Sequence, residues 1–383
     1  MKRTYSLIVI LIGLVFLNGC VKTEIKPTGN TMTDLGFIPS EVTVNADFQP
    51  MIYINGSLLV GTSDGIWACN ISTREWSTHG LQGKNITAIF KHPEMENRLF
   101  AGVSTDYTSN YKTLYISKDG GATWNVATSP VYNTLENCYE DIYCFAARPG
   151  FPDQIYANLI GGTTIAVSTD CGETWHRFNY LDESYFAYPC NIIFLPGNPD
   201  VIFQGAESPL DDAWLGRYDI NSNDPVLLGN FTKMVNTSTW SNRRPNELQT
   251  YSYTGQNIYA GLEGALSKVA GNTSKFIFKY EAKKRETLPD ESLFYTYIKG
   301  IWVDPADTRH ILFGGLLNND VQPMQLYETY DEGASIYRYT DKYEMENPCL
   351  LKIVPAGTSP ALLFVDYNLK KVKVLLFNND SGK

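Results

Sequence analysis

Carboxylates beside aromatic rings are the residues of this chain that could cleave a glycosidic bond. Asp211 and Asp212 precede Trp214 within Glu207–Trp214. Two carboxyl groups flanking a bond can act as acid and as nucleophile or base. Adjacent aspartates are also the ordinary composition of a solvated turn, and that reading is preferred here; Asp304, which precedes a proline, reads the same way. A cluster of arginines could instead hold a carboxylate. However, Arg98 and Arg309 stand just before apolar runs and Arg177 just after a turn motif, which places them on the surface. There is no G-x-S-x-G elbow, P-loop or G-x-G-x-x-G loop. Asp219–Asp224 offers oxygen ligands but lacks the glycine and final glutamate of a calcium loop. His79, His92, His176 and His310 are scattered and no C-x-x-C pair occurs, so neither a metal nor a cofactor is expected. Trp214, Trp240 and Trp302 are the candidate ligand-binding aromatics, able to stack on a sugar or anchor a protein; the alternative is packing inside the fold.

The elements that position these residues announce themselves through a repeated octet. Ser117-Lys118-Asp119-Gly120-Gly121-Ala122-Thr123-Trp124 recurs as Ser168-Thr169-Asp170-Cys171-Gly172-Glu173-Thr174-Trp175. Both read S-x-D-x-G-x-T-W. Each follows a short β-branched and aromatic run, Thr113–Ile116 or Thr164–Val167, which predicts a strand. Ser and Asp side chains can bond nearby backbone and tighten a turn. Gly121 and Gly172 supply the left-handed conformation, and Trp124 and Trp175 open the returning strand with a large apolar face. Thr329–Ile336 keeps Thr, Asp and Gly but ends Ser-Ile, and Ser72–Trp76 keeps little beyond the tryptophan.

The octet resembles the Asp-box, or BNR repeat, of sialidases, sortilin-type receptors, xyloglucan-cleaving endoglucanases and photosystem II assembly factors. The resemblance implies a β-propeller. It implies that Ser117, Asp119, Gly121, Thr123, Trp124 and Ser168, Asp170, Gly172, Thr174, Trp175 fasten the hairpin between a blade's last two strands, away from the face where ligands bind. Sialidases use three arginines, a tyrosine nucleophile with a glutamate partner and an aspartate, with an Arg-Ile-Pro motif near the N-terminus; this chain has no Arg-Ile-Pro. The endoglucanases work between two tandem propellers, and this chain is long enough for one.

A second repeat counts the blades. Turns such as His92-Pro93, Arg148-Pro149, Leu195-Pro196, Asp304-Pro305 and Val354-Pro355 each lead into an apolar strand that mostly ends in a small residue, as in Leu99–Gly102. Similar strands follow Tyr53–Gly56 and Tyr253–Gln256 without the proline. The strands begin near residues 58, 99, 155, 201, 258, 311 and 362, a mean step of about 51, close to the period of propeller blades. No amphipathic helix of ten residues is apparent. The expected fold is therefore all-β, a single propeller of four-stranded antiparallel blades, seven in number. Six is the alternative, because residues 206–250 lack an octet and are rich in Asn, Ser and Asp.

The N-terminus reads as an export signal. Met1–Tyr5 is basic and Ser6–Leu17 is apolar but too short to span a bilayer. Leu17-Asn18-Gly19-Cys20 resembles the lipobox of bacterial lipoproteins, which implies removal of residues 1–19 and acylation of Cys20 with palmitate-type chains. Residues 20–40 then read as a flexible tether and 41–383 as the propeller. Val21 after the cysteine favours delivery to the outer membrane or cell surface where one exists. Six further cysteines permit disulfides in fifteen connectivities; Cys138–Cys144 and Cys171–Cys190 are the local pairs, and buried free thiols are the alternative. Loss of Lys2 and Arg3 takes the net charge from −10 to about −12, which argues against nucleic acid as a partner. Lys370-Lys371 and Lys373 read as a solvated loop or edge strand.

Together these features predict an exported, lipid-anchored propeller that binds carbohydrate or a protein partner at the cell envelope without catalysis. A sialidase-like or endoglucanase-like glycoside hydrolase and an envelope assembly scaffold are the alternatives.

Overall fold

The computed structural model describes residues 25–44, 50–104, 114–127, 132–133, 138–139, 141–159, 164–178, 188–195, 197–207, 213–221, 224–225, 228–235, 240, 245–249, 257–279, 297–316, 325–357, 359–366 and 368–378. Among them there is no helix, and seven four-stranded antiparallel blades make one propeller. Blade 1 comprises Met51–Ile54, Ser57–Thr62, Gly65–Asn70 and Trp76–Gly80. Blade 2 comprises Ile86–Lys91, Leu99–Val103, Leu114–Ser117 and Asn125–Val126. Blade 3 comprises Ile142–Ala147, Ile155–Leu159, Ile165–Ser168 and His176–Arg177. Blade 4, in the region without an octet, has the longer strands Tyr188–Leu195, Asn198–Glu207, Ala213–Ile220 and Leu228–Val235. Blade 5 comprises Pro245–Gln249, Asn257–Leu262, Ala265–Ala270 and Thr273–Lys279. Blade 6 comprises Tyr297–Val303, Ile311–Leu316, Leu326–Thr329 and Ile336–Arg338.

Blade 7 closes the ring. Its inner three strands are Pro348–Ala356, Ser359–Asp366 and Lys371–Phe377, and its outer strand is Met32–Phe37 from the other end of the chain. Ile25–Pro27 adds a fifth, parallel strand to blade 6. The tether expected over residues 20–40 is thus corrected: from Ile25 onward the segment is part of the fold. Leu35 and Ile38 are buried in the core between blades 7 and 1, an apolar pair that a Thr, Lys and Pro-rich composition concealed. Lys373 is corrected with it. Met32–Phe37 covers its strand, so Lys373 is buried against Asp34 at 2.7 Å, donates to the Tyr343 carbonyl and lies 4.4 Å from the Phe37 ring centroid. Residues 1–24, including Cys20, lie outside the described residues, as do Asp211 and Asp212.

The seven apolar strands counted from sequence are all second strands. Their terminal small residues let the next blade approach. A Cβ on Gly61 would come 2.5 Å from Ile86 Cγ2, and one on Gly261 would come 2.4 Å from the Ile298 carbonyl oxygen. Blade 3 has Asn158 there instead, and it donates to the Cys190 carbonyl of blade 4 at 2.5 Å. The residue before the proline of the preceding turn also reaches forward: His92 Nε2 to the Pro152 carbonyl (2.9 Å) and Arg148 Nε to that of Pro199 (3.0 Å). Between blades the core is largely aromatic and aliphatic, as where Phe90, Phe100, Phe145 and Trp175 meet.

The disulfide expectation is also corrected. Cys69, Cys144, Cys171, Cys190 and Cys349 are buried thiols that take part in no disulfide, so neither Cys138–Cys144 nor Cys171–Cys190 forms; the Cys138 side chain lies outside the described residues. Each thiol occupies a core position of a blade, as a small hydrophobe does. Burial pushes the Cys69 thiol up to about 11.

Candidate functional site

The octets lie between third and fourth strands, as the resemblance implied, and three of them share one geometry. In each, the first hydroxyl (Ser117, Ser168, Thr329) accepts from the glycine N–H four residues on and donates to the aspartate. The aspartate accepts from the backbone of Thr123, Thr174 or Ser335 at 2.8 Å. Positions four and five are both left-handed: Gly120 and Gly121, Cys171 and Gly172, Glu332 and Gly333. The Thr329 copy is therefore a complete octet, with buried Ile336 in place of the tryptophan. Hydrogen bonds from the Thr123 side chain, its backbone and Ser117 hold Asp119 at about 2. Burial pushes Asp170 up, but the bonds from Thr174 and Ser168 outweigh it, and the group lies below its ordinary value.

The octets also fasten neighbouring blades. A Cβ on Gly172 would meet Phe100 of blade 2, and one on Gly333 the Ile277 carbonyl of blade 5. Glu173 takes Lys118 of blade 2 at 2.8 Å, and Glu332 takes Lys268 of blade 5 at 2.6 Å. Antiparallel connectivity puts these turns and the first-to-second-strand turns at the same end of the ring, here named the octet end.

The candidate site is the cavity along the central channel, about 560 Å3 in volume. Its wall comes from the innermost strands of blades 1 to 4 and 7, and it continues to the turns at Pro93 and Pro149. It is mostly apolar: Met51, Ile89, Phe90, Phe145, Ile192 and Phe194 face it. Phe90 and Phe145 stack with centroids 6.0 Å apart. Lys91 and Lys352 also line the cavity. Asn191 lines the cavity but is committed to blade 5: it donates to the Leu248 carbonyl and accepts the Leu248 N–H. The carboxylate of the wall is Glu94, and it accepts from the Gly150 N–H at 2.8 Å. The cavity thus extends toward the octet end, whereas the resemblance implied that ligand-binding face and octet lie apart. They differ in radius instead: the cavity is at the axis and the octets are at the rim.

The candidate aromatics are not at this wall. Trp214, Trp240 and Trp302 are buried between sheets and do not line the cavity, which corrects their reading as stacking platforms. Trp214 packs edge-on to Phe231, Trp240 donates to Ser274 at 3.2 Å, and Trp302 packs against His310 and Phe377. Large rings fill the wedge-shaped gaps between sheets, where they remove the most apolar surface from water. The phenylalanines and isoleucines of the wall escaped notice because inner strands read like any buried strand. Arg177 and Arg309 do lie on blade surfaces, bonded to Thr164 and Asp307, whereas Arg98 is half-buried with its guanidinium 3.6 Å from Glu173.

A second constellation was missed in the sequence because its members are spread over it. In blade 6, His310 Nε2 lies 2.8 Å from Glu328 and Nδ1 lies 3.2 Å from Asp304. Burial pushes the imidazole down, but hydrogen bonds to Glu328 and Asp304 prevail and raise it. Tyr330, Tyr339 and Asn30 also donate to Glu328, at 2.8, 3.1 and 2.9 Å. Four donors fill the acceptor capacity of a carboxylate, so none is left for a substrate. The arrangement is a clasp that holds the N-terminal segment through Asn30.

No family model matches the chain, and no curated protein matches it. Solved structures do. A structure described as YCF48 bound to D1 peptide is 11% identical with a TM-score of 0.62, covering 94% of this chain and 99% of that one. The extracellular domain of the one component system BT4673 from B. thetaiotaomicron is 14% identical with a TM-score of 0.57, covering 90% of this chain and 40% of that one. The β-propeller domain of Myceliophteria thermophila Cps50 (Swd1) is 9% identical with a TM-score of 0.53, covering 91% and 100%. These likenesses show the fold. Their descriptions differ widely, as expected of an architecture that hosts many functions.

Proposed function

We propose that this protein is an envelope-anchored binding protein that takes an apolar segment of a peptide or protein partner into its central cavity. The observation that carries the reading is the wall of Phe90, Phe145, Phe194, Ile89 and Ile192 with Lys91 beside it. Such a wall suits apolar side chains next to an acidic group. It suits a sugar poorly, since polar groups facing the hydroxyls are few. A glycosidase needs two carboxyl groups about 5–10 Å apart, whereas the described wall offers Glu94, already bonded to backbone. That a structural neighbour is described with a bound peptide supports the reading. In this proposal Cys20 is acylated after removal of residues 1–19 and the propeller is held at the cell envelope, in the outer membrane where one exists.

Arrays of peptides with apolar cores and acidic flanks, and a glycan array, test the assignment. Peptide binding that Lys91→Glu weakens about tenfold, or 1.4 kcal/mol, with unchanged melting temperature is expected. Glycan hits without peptide hits, or glycosidic hydrolysis by the purified protein, would overturn it.

A further inference from the structure

We propose that the octet-end edge of blade 6 is the surface this protein lays against the bilayer that carries its anchor. The inference rests on acylation of Cys20.

The chain enters the fold at one defined point. Ile25–Pro27 runs parallel to Ile336–Arg338, with Ile25 opposite Ile336, the residue that ends the blade 6 octet. Ile25 is therefore at the octet end, on the outer edge of the blade. The entry point is fixed by successive attachments. Thr28 N donates to the Arg338 carbonyl at 2.7 Å, Asn30 Nδ2 donates to Glu328 and Tyr330, Met32 N donates to the Tyr343 hydroxyl at 2.7 Å, and Asp34 pairs with Lys373.

The link from the anchor is short. Cys20 precedes Ile25 by five residues. At about 3.3–3.6 Å per residue they reach about 18 Å at most. A domain of this length is about 50 Å across. The anchor therefore cannot be carried around the body, and the edge of blade 6 stays close to the headgroups.

The chemistry of that edge agrees with this placement. Ile25 and Tyr330 are 40% and 46% exposed and stand beside the entry point. Tyr330 has an apolar ring with a polar tip, the form that settles at the interface of a bilayer. Lys26, next to Ile25 in the strand, is exposed and can meet anionic headgroups. The neighbouring charges cancel locally, Asp307 with Arg309 at 2.8 Å and Glu332 with Lys268. In a ring of seven, blade 6 faces blades 2 and 3 across the channel. The inner strands of blades 2 to 4, which with those of blades 1 and 7 wall the cavity, stand across the channel from that edge.

The full-length acylated protein, reconstituted into phosphatidylcholine–phosphatidylglycerol vesicles with spin-labelled lipid, tests this placement. A bimane label on Lys26→Cys is expected to be quenched several-fold more than one on Phe151→Cys in blade 3. A flexible twenty-residue insertion after residue 22 is expected to remove the difference. Equal quenching at the two sites in the uninserted protein, or stronger quenching at residue 151, would overturn the orientation and leave the anchor intact. An N-terminal peptide without acyl mass, and a wild type that partitions into detergent no better than Cys20→Ala, would overturn both. Neither result bears on whether the cavity binds peptide, which is measured in the soluble form.

Discussion

Replacing Asp170 by alanine should lower stability by a predictable amount that depends on pH. Asp170 accepts three hydrogen bonds, from Ser168 Oγ at 2.8 Å, Thr174 N at 2.8 Å and Thr174 Oγ at 2.5 Å. The carboxylate is exposed, so each bond is weighted at about 0.5–1 kcal/mol rather than the larger value for buried charged partners. The loss is about 1.5–3 kcal/mol. Unfolding entropy for a chain of 383 residues is about 0.8 kcal/mol/K, which converts the loss into a fall in melting temperature of about 2–4 °C. The sign with pH follows from the lowered value of Asp170 in the fold. A depressed carboxylate stabilises above its unfolded value, about 3.9, and that contribution disappears as pH falls through the lower folded value. Scanning calorimetry of wild type and Asp170→Ala should therefore show a constant gap from pH 7 to about 5 that narrows below 4. A gap as wide at pH 3 as at pH 7, or none at pH 7, would refute the fastener reasoning. Peptide binding at the cavity should be unchanged, because the octet lies at the rim.

Two further outcomes are expected. Gly261→Ala should destabilise by about 1–3 kcal/mol, because the new Cβ meets the Ile298 backbone carbonyl rather than a movable side chain; chemical denaturation measures it. His310 is raised by Glu328 and Asp304, so its contribution is complete below about 6.5 and is lost as pH rises through the higher folded value. The melting temperature of wild type should fall more steeply than that of His310→Gln above pH 6.5, and parallel slopes would count against the clasp.

Much of the architecture was legible because a propeller repeats itself. Two clean octets and seven apolar strands at steps of about 51 residues expose period, strand type and blade number without any long-range information. The degenerate octet at Thr329 was harder to read. Its fold depends on a hydroxyl, an aspartate and two left-handed residues, all present, while the eye is drawn to the missing tryptophan. The buried tryptophans and Lys373 were misread for one reason: burial in a propeller depends on which sheet covers a residue. Lys373 became interior only because Met32–Phe37, more than 330 residues away in the chain, is laid over it.

The sequence by itself determined the repeat, the strand polarity and the local turns, since these depend on residues a few positions apart. Tertiary structure alone decided the closure of blade 7 by the N-terminal strand, the clasp of Asn30 on Glu328 and the apolar wall of the channel. Each of these joins residues from different blades or from opposite ends of the chain. Their contacts arise only when seven sheets wrap around one axis and bring their innermost strands face to face.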